Sequence, residues 1–85
     1  MEIASKEKTV TLGYTDYTSD KIYIVNLYPD NKGLWNVTCK YGKRYNANRQ
    51  DIKASEVSYN AAAQIFDKIT RQKLNKGYEV ESGSL

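Results

Sequence analysis

The chain has 85 residues, 40% hydrophobic and 27% charged, which is typical of one small globular domain and too short for two independently folding units. It lacks histidine and has a single cysteine, so the usual neutral-pH general base, the usual metal ligand and an internal disulfide are excluded. No apolar run approaches the roughly 20 residues of a membrane helix, and the first residues include no apolar stretch that resembles a secretory signal. We expect a non-enzymatic protein without cofactor or metal, in a reducing compartment, the cytoplasm.

Three strands are predicted in the first half of the chain. Residues 8–14 alternate apolar and polar side chains, and KIYIVNLY at 21–28 is rich in β-branched and aromatic residues, as in a centrally buried strand. PDNKG at 29–33 supplies turn residues, so the chain reverses into a third strand from Trp35 to Tyr41. QDIKASEV at 50–57 predicts a further short strand from weaker propensities.

One helix is predicted after these strands. Its apolar stripe follows three- and four-residue steps through Ala62, Phe66 and Ile69, which predicts that Phe66 packs on the sheet. Ser58 is a suitable N-cap, and Gly77 is suited to the left-handed conformation at the end. Around this core we expect a single domain at residues 8–78, with flexible termini at 1–7 and 79–85.

The positive charge of the chain is concentrated in residues 31–50. That stretch has five cations and no carboxylate, whereas the net charge of the whole chain is only +3. Within it, CKYGKRYNANRQ at 39–50 begins in the third strand, and its residues after Tyr41 are predicted to form a loop. The loop has two interpretations: a surface that binds an anionic partner, or a solvated loop in which Tyr41 belongs to the core.

Four parts of the sequence, in this order, resemble the WGR domain, a module of DNA-dependent poly(ADP-ribose) polymerases and of many bacterial proteins. They are KIYIVNLYPD, WNVTCKYGK, the predicted helix, and NKGY at 75–78. The Trp-Gly-Arg motif that names the family falls on Tyr41, Gly42 and Lys43, so an aromatic ring, the glycine and a cation are kept. Where the family usually continues with an apolar residue and a glycine, this chain has Arg44 and Tyr45.

The resemblance implies an α+β fold, a small twisted antiparallel sheet with one C-terminal helix packed across it, and binding of nucleic acid. In the polymerases the aromatic and basic residues of the motif contact DNA near a strand end, which carries over to Tyr41 and Lys43 alone. The polymerases' catalytic region lies outside their WGR module, so the resemblance implies no enzymatic activity here.

The basic loop therefore supplies the predicted binding residues. Cations in it would contact phosphates while Tyr41 or Tyr45 stacks on a sugar or base, and Lys43 and Arg44 are both expected to be exposed. DNA is the expected partner and RNA an alternative. The predicted nucleic-acid-binding set is Lys40, Tyr41, Lys43, Arg44, Tyr45 and Arg49.

The alternative function is a protein interaction module that does not bind nucleic acid, since exposed tyrosines are favoured at interfaces. An anionic membrane surface is disfavoured, because the cations do not lie along an amphipathic helix. Trp35 and Cys39 are expected in the core, and Gly42 serves either a tight turn or a close backbone approach to phosphate.

Overall fold

The computed structural model describes residues 6–83, which form five strands and one helix. Four strands precede the helix and the fifth follows it. The elements are β1 Lys8–Thr15, β2 Asp20–Pro29, β3 Trp35–Lys43, β4 Asn46–Val57, α1 Tyr59–Asn75 and β5 Glu79–Gly83.

The strands form one antiparallel sheet in the order β4-β3-β2-β1-β5. Consecutive strands β1 to β4 lie side by side, and α1 then crosses one face of the sheet so that β5 pairs with the free edge of β1. The predicted α+β fold is confirmed. We call the side of the sheet that α1 covers the helix face and the other side the open face.

The core lies between α1 and the helix face. Alternating residues of β1, β2 and β3 are buried there, together with Ala54 of β4, because successive side chains of a strand point to opposite faces. Phe66 of α1 is fully buried among them, as predicted, and Trp35 is half-buried with its indole 5.0 Å from the Tyr59 ring. Buried strand residues include Val10, Leu12, Val25, Leu27, Val37 and Cys39.

Both ends of α1 follow the sequence prediction. The Ser58 hydroxyl accepts a hydrogen bond from the Ala61 amide at 3.2 Å, satisfying a donor that the first turn leaves free. At the other end Gly77 has φ +104°, its amide donates to Leu74 and the Tyr78 amide donates to Lys73. This pair of bonds is a Schellman motif, and it turns Tyr78 back towards the sheet.

The loop predicted after Tyr41 is wrong, because most of residues 42–50 are strand. β3 continues to Lys43, Arg44 and Tyr45 form a two-residue turn, and β4 begins at Asn46. β4 is therefore longer than the predicted strand at 50–57. Its polar residues have weak strand propensity, but pairing with β3 satisfies backbone groups that would otherwise need water.

The expectation of a flexible C-terminus at 79–85 is wrong for residues 79–83, which form β5. All five residues of β5 are exposed, so the strand forms through backbone pairing with β1 and not through an apolar pattern. The expected flexible segments at 1–5 and 84–85 lie outside the described residues. Between residues 6 and 83, no helix is long and apolar enough to span a membrane.

Candidate nucleic-acid interface

The structure divides the predicted binding residues between the two faces of the sheet. Tyr41 lies on the helix face, opposite Tyr23 of β2 and Arg49 of β4, whereas Lys40 lies on the open face opposite Ile24. The six predicted residues therefore do not form one continuous surface.

Gly42 is explained by the hairpin itself. Its φ is +149°, and an added Cβ would lie 3.0 Å from both the Asn46 carbonyl oxygen and the Ala47 Cα. The β3–β4 register also shifts between Tyr41 and Lys43. Of the two roles expected for Gly42, the geometry accounts for the tight turn, because the nearby backbone is that of the same hairpin.

Four tyrosines, one from each of β1, β2 and β3 and one from the connection after α1, meet beside this hairpin. The Tyr23 and Tyr41 rings are stacked with centroids 5.2 Å apart, Tyr78 lies edge-on to Tyr23 at 6.4 Å, and Tyr14 lies 5.5 Å from Tyr78. We call Tyr14, Tyr23, Tyr41 and Tyr78 the tyrosine cluster. Its position depends on the sheet register for three rings and on the helix C-cap for the fourth.

Lysines lie against the rings of the tyrosine cluster. The Lys73 ammonium is 4.3 Å from the Tyr23 ring centroid and 5.5 Å from that of Tyr78, and the Lys21 ammonium is 6.0 Å from that of Tyr14. These are cation–π distances. Among residues 6–83 the Lys73 ammonium forms no ion pair with a carboxylate.

Three rings of the cluster, those of Tyr23, Tyr41 and Tyr78, line an open cavity of about 340 Å³. Lys21, Lys53 and Lys73 also line it. One carboxylate, that of Asp51, lines it as well; it accepts a hydrogen bond from the Tyr41 hydroxyl at 3.2 Å and lies 3.5 Å from the Lys53 ammonium. Three ammonium groups and one carboxylate give this cavity a net positive charge. An aromatic, positively charged cavity is suited to an anionic ligand with flat rings.

Burial shifts the pKa of three groups near the cavity. It lowers the pKa of Lys73, with the neighbouring positive charge of Lys76 adding to the effect. It raises the pKa of the Tyr23 hydroxyl and of the Cys39 thiol, so both are neutral at physiological pH. A buried neutral thiol is a poor nucleophile, in keeping with the expected core role of Cys39.

A second cavity of about 400 Å³ lies between the β1–β2 loop and the β3–β4 turn. Lys21 and Lys43 both line it and are directly opposed in the β2–β3 register, so two like charges face each other at its edge. Tyr45 also lines it, and is 95% exposed.

Arg44 lines the same cavity but is not the exposed residue that the sequence predicts. Its side chain is only 25% exposed, because the guanidinium is engaged by the carboxylates of Asp20 and Glu81 at 2.8 and 2.7 Å. These bonds raise the pKa of Arg44 and hold it permanently charged.

A sequence model of the WGR domain matches residues 8–84. The chain belongs to the WGR domain family. Comparisons with curated proteins and with solved structures returned no significant match. The WGR domain is a small non-catalytic module, and membership is consistent with a nucleic-acid-binding role. The match runs to residue 84 and so includes β5, which the predicted domain at 8–78 left out.

Lys73, Tyr23 and Tyr78 belong to the candidate site of this WGR domain, and none of them is in the set predicted from the sequence. Their proximity to Tyr41 depends on the β2–β3 register and on the helix C-cap, which local periodicity does not determine. The available sequence feature was the alternation in β2 that places Tyr23 on the same face as Val25.

No metal-binding group accompanies the tyrosine cluster in the part of the chain that the structure describes. Within that part, no group of three or more Cys, Asp or Glu side chains is arranged to hold a metal ion. The features at this end of the WGR domain are aromatic rings and ammonium groups.

Proposed function

We propose that this WGR domain binds nucleic acid, with DNA as its ligand, through the helix face beside the β3–β4 hairpin. The observation that carries the proposal is the position of Lys73. Its ammonium lies between two tyrosine rings, partly desolvated, and among the described residues has no carboxylate partner. A phosphate of the nucleic acid would supply the anionic partner for this ammonium.

The proposed contacts fall into two kinds. Tyr41 offers a ring for stacking on a sugar or base, and Tyr45 offers a second, fully exposed ring at the turn. Lys43 and Arg49 are exposed on the same hairpin and would contact phosphates along with Lys73. Lys40 falls outside this surface because it lies on the open face.

The proposed action is binding, with no catalytic step, cofactor or metal. Five cations border this surface, so log K should fall against log salt with a slope no steeper than about −4.5 on duplex DNA. The single buried thiol suits a reducing compartment, and we propose the cytoplasm. The cations in question are Lys21, Lys43, Arg49, Lys53 and Lys73.

The test is a fluorescence-anisotropy titration with single-stranded DNA, blunt duplex DNA, nicked duplex DNA and a structured RNA. Each ligand is titrated at about 50 and 200 mM salt, where phosphate contacts have a measurable effect. We expect binding that weakens with salt and that is tightest for a DNA. Tighter binding to the RNA would contradict the choice of DNA, and no binding to any ligand at the lower salt would contradict the proposed function.

A second candidate function is protein binding through the open face, favoured by the exposure of Ile52. This side chain is 72% exposed on β4, and Tyr28 on β2 is 38% exposed on the same face. Apolar side chains left exposed on a sheet are found at protein interfaces. Such binding would be insensitive to salt and would be lost in Ile52→Ser, whereas nucleic-acid binding would be unchanged in that variant.

A further inference from the structure

Arg44 joins the β3–β4 turn to two other strands. Its Nε donates to Asp20 Oδ1 at 2.8 Å, and its Nη1 and Nη2 donate to the two carboxylate oxygens of Glu81 at 2.8 and 2.7 Å. The Arg44 backbone amide also donates to the Asp20 carbonyl at 2.9 Å. A two-bond arginine–carboxylate pair fixes orientation as well as distance, so the turn is held in one direction.

The bridge runs across the sheet. In the strand order, β2 and β1 lie between the hairpin that contains Arg44 and the edge strand β5 that contains Glu81. Gly13 of β1 provides the space, since a Cβ at that position would overlap the Glu81 carboxylate and come within 3.1 Å of Arg44 Nη2. We call Asp20, Arg44 and Glu81, bridged over Gly13, the clasp.

The clasp changes what Arg44 can contribute to binding. One guanidinium lies between two carboxylates, and its hydrogen bonds lower the pKa of both Asp20 and Glu81, so all three groups are ionised at neutral pH. The net charge of the clasp is therefore negative, and Arg44 is already engaged. The clasp fixes the orientation of the turn. The two residues next to Arg44 in the chain, Lys43 and Tyr45, are exposed.

We propose that Arg44 is a positioning residue, and that β5, through Glu81, orients the turn that presents Lys43 and Tyr45 to nucleic acid. This inference rests on the proposed function. It gives the C-terminal strand a part in binding, although β5 itself lies at the far edge of the sheet from the β3–β4 pair.

The direction in which one substitution changes the DNA affinity tests the proposal. Glu81→Gln removes a negative charge, so electrostatics alone predicts equal or tighter binding of DNA. Loss of positioning predicts that DNA binds more weakly, by roughly three- to tenfold. This is the size of effect that coupled residues of one hydrogen-bond network have on each other. Glu79→Gln is the matched control, since it makes the same charge change on the same strand, and its affinity should equal or exceed that of the wild type. Glu81→Gln binding as tightly as Glu79→Gln would overturn the proposal.

Two further variants separate the positioning role of the clasp from the effect of its charges and from any loss of folding. Gly13→Ala changes no charge but displaces the Glu81 carboxylate, and Arg44→Lys keeps the cation but loses the two-pronged geometry. Both should weaken binding as Glu81→Gln does, at a temperature where a melting curve shows each variant fully folded. If Arg44→Lys binds like the wild type, Arg44 is a simple cation and the proposal is wrong.

The clasp can also be tested without nucleic acid. The Arg44 amide, bonded to the Asp20 carbonyl, should exchange its hydrogen faster in Glu81→Gln than in the wild type, while amides in the centre of β2 remain unchanged. An unchanged rate at Arg44 would overturn the positioning role. If the wild type binds no nucleic acid, the proposed function fails, but this exchange experiment still decides whether the clasp holds the turn.

Discussion

The Lys73 ammonium lies 4.3 Å from the centre of the Tyr23 ring, which in turn stacks on Tyr41 at the end of β3. This contact connects the end of α1 to the hairpin that contains the family motif. A cation–π contact attracts the ammonium without pairing it with a carboxylate.

Removing the Tyr41 ring should weaken DNA binding. The stacking of a base on an aromatic side chain contributes about 1 to 3 kcal/mol, so Tyr41→Ala should lose about that much binding free energy in an anisotropy titration. Tyr41→Phe keeps the ring and loses only the hydrogen bond to Asp51, so it should bind nearly as the wild type does. If the alanine and phenylalanine variants bind equally well, Tyr41 does not stack on the ligand.

Phe66→Ala should destabilise the domain without acting on the site. The ring is fully buried in the centre of the core. Truncating such a residue costs roughly 3 to 5 kcal/mol of unfolding free energy, because buried apolar atoms are removed and a cavity remains. Urea denaturation measures the change in unfolding free energy. A loss below about 1 kcal/mol would contradict the packing of α1 on the sheet.

The clasp should make stability depend on acid pH. Arg44 holds the pKa of Glu81 below its ordinary value of 4.5, so the carboxylate stabilises the folded state above pH 4.5 and this contribution is lost as the pH falls through the folded pKa. Glu81→Gln should therefore be less stable than the wild type at pH 7, and the difference should shrink by pH 3. Melting curves at both pH values measure it; a constant difference would mean that the Glu81 charge is not involved.

Lys73 should impose an alkaline limit on binding. Burial lowers its pKa below the ordinary value of 10.5, so in the free protein the ammonium loses its proton before an exposed lysine does. DNA affinity should fall as the pH rises towards 10.5, and the fall should be smaller in Lys73→Gln. The same pH dependence in both proteins would assign the effect to other lysines.

The strands β1 to β3 and the helix were predictable because their patterns are local. Val10 and Leu12 alternate with polar residues, Phe66 lies on a regular apolar stripe, and Ser58 and Gly77 mark the helix ends through their own backbone chemistry. Each of these features depends on residues within a few positions in the chain. The structure confirms the strands and the helix that these local patterns predict.

The strand β5 and the clasp could not be predicted because they depend on distant contacts. Glu79–Gly83 has no apolar alternation, and it is a strand only because β1 offers an unpaired edge. Arg44 and Glu81 are separated by 37 positions in sequence, so nothing local to Arg44 indicates that a carboxylate engages it. The same is true of Tyr23 and Tyr41, whose stacking follows from strand register.

The measurement that tests the central claim most directly compares Lys73→Gln with Lys68→Gln in a DNA titration at several salt concentrations. Both substitutions remove one positive charge from α1, but Lys68 is exposed and lies away from the tyrosine cluster, on a surface with Gln64, Asp67 and Arg71. We expect Lys73→Gln to weaken binding and to reduce the salt slope by about 0.9, the effect of one phosphate contact, whereas Lys68→Gln should change neither. Equal effects of the two substitutions would contradict the claim that the helix face beside the β3–β4 hairpin binds nucleic acid.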